Sequence, residues 1–259
     1  MITPVAFRQQ IREQHFTAST AGYCQEFVQA NLVIVPKQYA FDFFLYTFRN
    51  QKACPVIDVL EPGQVESLLA KGSDIRTDIP KYHIYKDGTF EKEVESIEAI
   101  WEDDFVSFLI GCSFTFESEM IKTNIPLKHI ELQKNVAMYQ TNIETVAAGP
   151  FSGPLVVSMR PIKKELVQLA TSITEKYPQM HGGPVHIGDP AQIGISEIEK
   201  PDYGEYVEIA EDEVPIFWAC GVTPQAAAQN AKLPLMITHA PGHMFITDWT
   251  NEELLNKDS

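Results

Sequence analysis

The sequence lacks several features that would define its class at once. It has no apolar run of about eighteen residues, the length that a helix needs to cross a bilayer, so no membrane-spanning segment is expected. Its four cysteines, at positions 24, 54, 112 and 220, are scattered and form no CxxC pair. In a chain of 259 residues this spacing argues against a disulfide framework and favours reduced thiols.

Positive charge is also scarce, with 20 Lys and Arg against 35 Asp and Glu and a formal net charge of -15. Nucleic acid binding needs clustered basic residues, so this class of function is excluded. The first residues lack the basic and then apolar layout of a signal peptide, and we therefore expect a cytoplasmic protein. The sequence leaves open whether the chain associates with itself.

The residues that are present predict an ordinary globular protein, 44% hydrophobic and 21% charged. Apolar spacing predicts helices through the first fifty residues, including Tyr23–Ala30 and a helix from Gln38 to Arg49 that is buried on most faces. A hairpin is predicted at Lys81–Val94, where Asp87-Gly88 separates two alternating runs. A further strand is expected at Asp104–Ile110.

Beyond residue 110 the pattern predicts more strands than helices. The middle of the chain reads as strands at Lys128–Leu132, at 136–141 and at 154–159, followed by an amphipathic helix at Ile162–Tyr177. From residue 184 onward, short strands alternate with helix starts. Such alternation indicates an α/β fold. We expect a mixed sheet with flanking helices, formed by 1–110 and 181–259, plus a smaller α+β subdomain at 111–180.

Four turns collect the unusual residues, and four of the seven histidines lie in the last two-fifths of the chain beside Gly or Pro. These histidines are His181, His186, His239 and His243. Imidazole titrates near neutrality and suits proton transfer, while Gly and Pro shape the turns that aim it. Asp189 opens a helix next to His186 and joins the candidates as a proton donor. A structural role for each single histidine remains the alternative.

Metal binding is considered and not assigned. His239 and His243 are four residues apart, but Pro241-Gly242 breaks any helix between them, so the helical zinc arrangement is excluded. A non-helical site joining His181, His186, Asp189 and His239 stays possible. We assign no cofactor and leave a divalent metal open.

Two cysteines are candidate nucleophiles, because Cys112 and Cys220 each precede a predicted helix. A helix start lowers the pKa of a thiol and favours the thiolate. The alternative is that both are small core residues.

Five further residues are candidates for substrate binding. Arg160, followed by Pro161 after a predicted strand, can grip a carboxylate with two parallel hydrogen bonds, and an ion pair within the fold is the alternative. Arg76 is a second candidate by the same argument, and Asn142 offers a hydrogen-bonding amide. Thr223 and Gln225 stand at a Thr-Pro helix start, where exposed amides favour anions.

Several long phrases also match a known family. They include Ala30–Pro36, FLIGCSF at 108–114 and, above all, HGGPVHIGDP at 181–190, FWACGVTPQ at 217–225 and ITHAPGHMFITD at 237–248. With these the chain resembles the D-glutamate cyclase family over at least residues 25–248. The resemblance implies a carbon–oxygen hydro-lyase, because vertebrate relatives convert D-glutamate to 5-oxo-D-proline and water. It supplies no catalytic residues.

The expected substrate is therefore a small acid such as D-glutamate. Ring closure needs a base for the α-amine, assigned to His186 or His239, and proton donors for the departing oxygen, assigned to His181, His243 or Asp189. The same groups would serve dehydration of another small hydroxy or amino acid. A module that binds an acidic ligand without turnover is the third possibility.

Overall fold

The structure is a computed structural model and describes residues 2–256. Its α-helices are α1 (Pro4–Arg12), α2 (Lys37–Arg49), α3 (Phe114–Lys122), α4 (Lys128–Glu131), α5 (Val167–Thr174), α6 (Thr223–Ala231) and α7 (Asn251–Asn256). Its strands are β1 (Phe27–Pro36), β2 (Val56–Leu60), β3 (Tyr82–Lys86), β4 (Thr89–Val94), β5 (Phe105–Gly111), β6 (Ala137–Glu144), β7 (Pro154–Lys163), β8 (His186–Ile187), β9 (Glu213–Ala219), β10 (Met236–His239) and β11 (Phe245–Thr250). Within these residues, no helix is both long enough and apolar enough to cross a bilayer.

Two antiparallel sheets form the framework. A seven-stranded sheet runs β2-β5-β1-β10-β3-β4, with β11 also paired to β1, and a four-stranded sheet runs β6-β7-β9-β8. Helices pack on these sheets, so the expected α/β class is confirmed. The second sheet takes its strands from residues 137–219, which cross position 180 of the predicted subdomain boundary. The division at 111–180 stays a prediction.

β1 is the central strand of the larger sheet. One edge pairs with β5 along Ala30–Pro36, and the other edge is shared, first by β11 and then by β10. The predicted helix at Tyr23–Ala30 is therefore wrong, because residues 23–26 form turns and β1 begins at Phe27. A strand buried on both faces is apolar almost throughout, and such a run also contains residues at helical spacing.

α2 begins and ends close to its predicted limits, but the expectation that it is buried on most faces is wrong. Phe41, Phe44 and Phe48 are 74%, 48% and 62% exposed. Phe43 and Tyr46 are fully buried in the core cluster that includes Val33 and Phe108 of the sheet, and further α2 side chains pack beside them half-buried. α2 thus presents an aromatic face to solvent.

Three other elements differ from their predictions. Lys128–Leu132, expected as a strand, contains the short helix α4, and the helix expected from Ile162 begins at Val167 because β7 extends to Lys163. α6 begins at Thr223 as expected, yet its N-cap is Val222, and the Thr223 hydroxyl donates to the carbonyl of Cys220. The hairpin β3-β4, β5 and the strands β6, β7, β9, β10 and β11 are confirmed.

All strand pairings among the described residues are antiparallel. The rule that ligands bind where helices follow the carboxyl ends of strands belongs to open parallel sheets. It therefore does not locate a site here, and the site must be found from its side chains.

Candidate active site

A cleft of about 600 Å³ opens beside α2. Its walls come from the outer face of α2, from the segment 51–56 that leads into β2, and from the segment 175–183 that follows α5. The aromatic and apolar lining residues are Phe44, Phe48, Pro55, Val56 and Pro178. The exposed phenylalanines Phe44 and Phe48 are therefore the wall of a concave site.

His181 lines the cleft and is 1% exposed. Its Nδ1 lies 3.0 Å from the main-chain oxygen of Lys52, while its Nε2 is buried without a hydrogen-bond partner. The backbone at His181 has a φ of 77°, in the left-handed region that non-glycine residues seldom adopt. Residues held in such conformations are concentrated at functional sites.

The environment of His181 fixes its charge and tautomer. Burial lowers the pKa of His181 to about 4, and the charge of Arg160 adds to this effect, while hydrogen bonding to the main chain of Lys52 and Gly111 acts in the opposite direction. The ring is therefore neutral near pH 7 and carries one proton. Because a carbonyl oxygen can only accept, that proton belongs on Nδ1, and Nε2 presents its lone pair.

A close approach of two segments fixes His181 in place. Gly111, at the end of β5, lies so close to the loop before His181 that a Cβ there would be 1.8 Å from the carbonyl oxygen of Gln179. The amide of Cys112 also contacts the sulfur of Met180 at 3.2 Å. Glycine at position 111 thus permits the contact that joins β5 to the cleft.

Arg160 lies close enough to His181 for its charge to act on that ring, but its hydrogen bonds are made to other residues of the protein. Its Nε donates to Glu117 at 2.8 Å, and its other nitrogens donate to Ser113 and Ser158 at 3.0 Å. Burial acts to raise the pKa of Glu117, and the charges of Arg160 and His129 outweigh it and lower that pKa. The guanidinium is also 5.4 Å from the ring centre of Trp218. It occupies the middle of β7, and the expectation that it ends a strand and is free to grip a substrate is wrong.

The structure brings Cys112 and Cys220 together in one buried apolar cluster. The expectation that helix starts favour their thiolates is wrong, because burial raises the pKa of Cys220 to about 11 and raises that of Cys112 further. Cys54 lines the cleft, and burial raises its pKa as well. These thiols are protonated near neutral pH.

His239 occupies a different place in the sheet. Its Nδ1 lies 3.2 Å from both the amide nitrogen and the carbonyl oxygen of Leu32, in the gap where the edge of β1 passes from β11 to β10. Burial lowers the pKa of His239 to about 3, and its Nε2 has no partner. β10, which carries His239, and β5, whose Gly111 contacts the loop before His181, pair with opposite edges of β1, so the two histidines are on different sides of that strand.

Gln225, Thr223 and His243 belong to the neighbourhood of His239 and Cys220. Gln225 donates to the carbonyl of His239 at 2.8 Å, and Thr223 donates to that of Cys220 at 2.7 Å. His243 Nδ1 lies 3.0 Å from the Pro241 carbonyl, and burial lowers the His243 pKa. These hydrogen bonds connect the start of α6 with the turns around Cys220 and His239 and fix the turn at Pro241.

His186 and Asp189 lie elsewhere. His186 pairs with Phe217, whereas Arg160 pairs with Ile216, the next residue of β9. Successive residues of a strand point to opposite faces, so His186 and Arg160 lie on opposite faces of the four-stranded sheet. Asp189 is exposed and caps a short turn by accepting from the amide of Ala191.

The remaining sequence candidates are also apart from the cleft. Arg76 pairs with Asp74 at 2.6 Å and lies over Trp101, and Asn142 is exposed on β6 beside Gly194. Within residues 2–256, no three His, Cys, Asp or Glu side chains gather as a cation-binding group. The non-helical metal site that the sequence left possible is therefore not formed.

Three residues of this region escaped the sequence analysis. Lys52 and Glu175 line the cleft but belong to no motif. Glu117 had a usable signal, because it follows Ser113 by four residues at the start of α3 and so shares its helix face.

Comparison with known proteins places the chain in a family. The family model for D-glutamate cyclase matches residues 106–248. "Putative hydro-lyase Teth514_1597" of Thermoanaerobacter sp. (strain X514) is 56% identical over 98% of this chain and 96% of its own. "Putative hydro-lyase cu1581" of Corynebacterium urealyticum is 54% identical over 95% of this chain and 94% of its own, and "Putative hydro-lyase YcsI" of Bacillus subtilis is 53% identical over 98% and 99%. The chain therefore belongs to the D-glutamate cyclase family, whose curated bacterial members carry hydro-lyase names.

Proposed function

We propose that the chain is a carbon–oxygen hydro-lyase that closes D-glutamate to 5-oxo-D-proline in the cleft beside α2. One observation carries the proposal, the buried and unpartnered Nε2 of neutral His181 in the lining of that cleft. A proton acceptor held ready in a concave, largely apolar pocket is what general base catalysis requires.

The overall reaction moves two protons and leaves the total charge unchanged. The α-ammonium of D-glutamate loses two protons as its nitrogen bonds to the γ-carbon. One γ-carboxyl oxygen gains these two protons and leaves as water. A single group that takes protons from nitrogen and returns them to oxygen can therefore serve both halves of the reaction.

His181 has the properties of such a carrier. Nε2 is free to accept, because Nδ1 is held by the Lys52 carbonyl. Its lowered pKa means that the protonated form gives its proton up readily, which suits return of the proton to the departing oxygen. A bound dicarboxylate raises the pKa of a nearby imidazole, so the substrate itself brings His181 closer to neutrality.

We assign supporting roles to the other candidates. Arg160 is paired with Glu117, acts on His181 through its charge and does not bind the substrate. Thr223 and Gln225 hold the turns around Cys220 and His239. In this assignment His181 replaces His186 and His239 as the base, since His186 lies on the opposite face of the four-stranded sheet from Arg160 and His239 lies on the other side of β1.

The test is an NMR time course with D-glutamate, with and without a divalent cation. We expect 5-oxo-D-proline to accumulate as D-glutamate is lost. Turnover of a hydroxy acid, with none of D-glutamate, would overturn the substrate and favour the dehydratase alternative. Tight binding of D-glutamate without product would overturn the enzyme and leave a binding module.

A further inference from the structure

Two opposite charges stand in the lining of the cleft. Among the residues that line it, Lys52 and Glu175 are the charged side chains other than histidine. They come from different walls, Lys52 from the segment after α2 and Glu175 from the end of α5. The cleft thus offers one cation and one anion in a chain that is otherwise strongly acidic.

The position of Glu175 is unfavourable for the helix that carries it. Glu175 is the C-cap residue of α5, where the helix dipole places negative charge. Its side chain also packs over Gly183, where a Cβ would be 2.6 Å from the Glu175 Cγ. The Glu175 carboxylate thus destabilises the end of α5 and leaves room only for glycine at position 183. A function of this carboxylate in the cleft accounts for both costs.

The main chain of Lys52 contacts His181, another residue that lines the cleft. The carbonyl oxygen of Lys52 is the partner of His181 Nδ1, which places the Lys52 backbone next to the imidazole ring. Burial lowers the pKa of Lys52, and the charge of the Glu175 carboxylate acts to raise it. Lys52, Glu175 and His181 therefore line one cleft.

We propose that Lys52 and Glu175 are the specificity-determining residues of this cleft, and that they bind the α-carboxylate and the α-ammonium of a zwitterionic amino acid. The proposal rests on the proposed function, since it concerns the same cleft. A hydroxy acid offers a carboxylate to Lys52 and nothing positive to Glu175, so it leaves that carboxylate unpaired.

The same arrangement separates the two carboxyl groups of glutamate. With Lys52 on the α-carboxylate and Arg160 already paired to Glu117, the γ-carboxyl faces neutral His181 and the apolar walls. Low polarity raises the pKa of a carboxyl group and favours its protonated form. A protonated carboxyl is the better electrophile and is already one proton closer to water.

The experiment measures binding by saturation-transfer NMR with four probes that differ by one group. These are D-glutamate, its γ-amide D-glutamine, its α-amide D-isoglutamine, and D-2-hydroxyglutarate. We expect the wild type to bind D-glutamate and D-glutamine within about threefold of each other. D-isoglutamine and the hydroxy acid should bind about tenfold more weakly, the effect of losing one charged hydrogen bond.

Variants assign each preference to one residue. Glu175→Gln should remove the preference for D-glutamate over the hydroxy acid, and Lys52→Met should remove the preference over D-isoglutamine. The exposed pair Lys200 and Glu197 supplies matched controls, Lys200→Met and Glu197→Gln, which should change neither ratio. Each cleft variant should therefore abolish one binding preference and leave the other unchanged.

Ratios that survive both cleft variants would overturn the assignment, and so would a wild type that binds none of the four probes. Formation of 5-oxoproline is followed separately. Product without these preferences would refute Lys52 and Glu175 while keeping the reaction. The preferences without product would refute the reaction while keeping the two residues.

Discussion

The Nδ1 nitrogen of His181 lies 3.0 Å from the main-chain oxygen of Lys52. This contact joins two segments that are 129 positions apart and meet in the cleft. It sets the tautomer of the ring, because the oxygen can only accept, and it leaves Nε2 as the acceptor. The tautomer of His239 is not set in this way, since its Nδ1 is 3.2 Å from both the amide nitrogen and the carbonyl oxygen of Leu32.

Replacement of His181 separates its chemical role from its structural one. Asparagine tolerates the left-handed backbone, and its amide nitrogen can take the place of Nδ1 as donor to Lys52. We expect His181→Asn and His181→Ala both to lower kcat by about a hundredfold or more, as loss of a general base does. The alanine variant should also lose about 1 to 3 kcal/mol of unfolding free energy, because the Lys52 oxygen is left unsatisfied.

Product NMR and urea denaturation measure the two effects. His15→Asn, at an exposed position, is the matched control and should behave as wild type. Full turnover by His181→Asn, together with loss in His186→Asn, would move the base to the four-stranded sheet.

Acid should destabilise the protein before its carboxylates titrate. Unfolded histidine titrates near pH 6.5, whereas burial lowers the pKa of His181 to about 4 and that of His239 to about 3. Between these values the unfolded chain holds more protons. The unfolding free energy is therefore highest above pH 6.5 and falls as the pH falls toward 4, by up to about 1.4 kcal/mol per pH unit for each of these histidines.

Urea denaturation at pH 6.5, 6.0, 5.5 and 5.0 gives the slope. His181→Asn should reduce it by up to about 1.4 kcal/mol per pH unit, and His15→Asn should leave it unchanged. An unchanged slope in His181→Asn would mean that this ring is not held neutral by the fold.

The buried pair of Glu117 and Arg160 should be costly to break. Glu117→Leu leaves the guanidinium of Arg160 buried without a counter-charge, and we expect a loss of about 3 to 5 kcal/mol in unfolding free energy. Glu119→Leu, which removes the exposed partner of Lys122, should cost less than about 1 kcal/mol. The double variant Glu117→Leu, Arg160→Met should recover most of the loss, and failure to do so would mean that shape rather than charge dominates this position.

The thiols should resist modification in the folded protein. Burial raises the pKa of Cys220 to about 11, and a thiol with that pKa is about one part in a thousand thiolate at pH 8. We expect reaction with a disulfide reagent to be more than about a hundredfold slower for the folded protein than after unfolding in urea. Rapid labelling of Cys112 or Cys220 with loss of turnover would instead restore the nucleophile hypothesis.

The sequence predicted elements best where local patterns were unambiguous. Asp87-Gly88 between alternating runs identified the β3-β4 hairpin, and β9, β10 and β11 carried apolar runs bounded by Gly and Pro. β1 was missed because burial on both faces removes the alternation that marks a strand. Phe44 and Phe48 are exposed because they line the cleft, and the cleft is formed by distant segments that no local sequence pattern reveals.

The site was predicted in part. His181 was among the candidates because glycine follows it, and it does line the cleft. Its separation from His186 and His239 depends on strand pairing, which a single sequence does not specify. Lys52 and Glu175 were invisible, because they are common charged residues whose importance comes from facing one cavity.

The place of β10 between β1 and β3 has a consequence for synthesis of the chain. Before residues 236–239 leave the ribosome, the larger sheet can exist only as two fragments, β2-β5-β1 and β3-β4, each with an open inner edge. Open edges recruit other strands, and pairings between such distant residues form slowly. We therefore expect a chain that stops before the β10-β11 segment to expose both inner edges and to aggregate instead of forming a smaller folded domain.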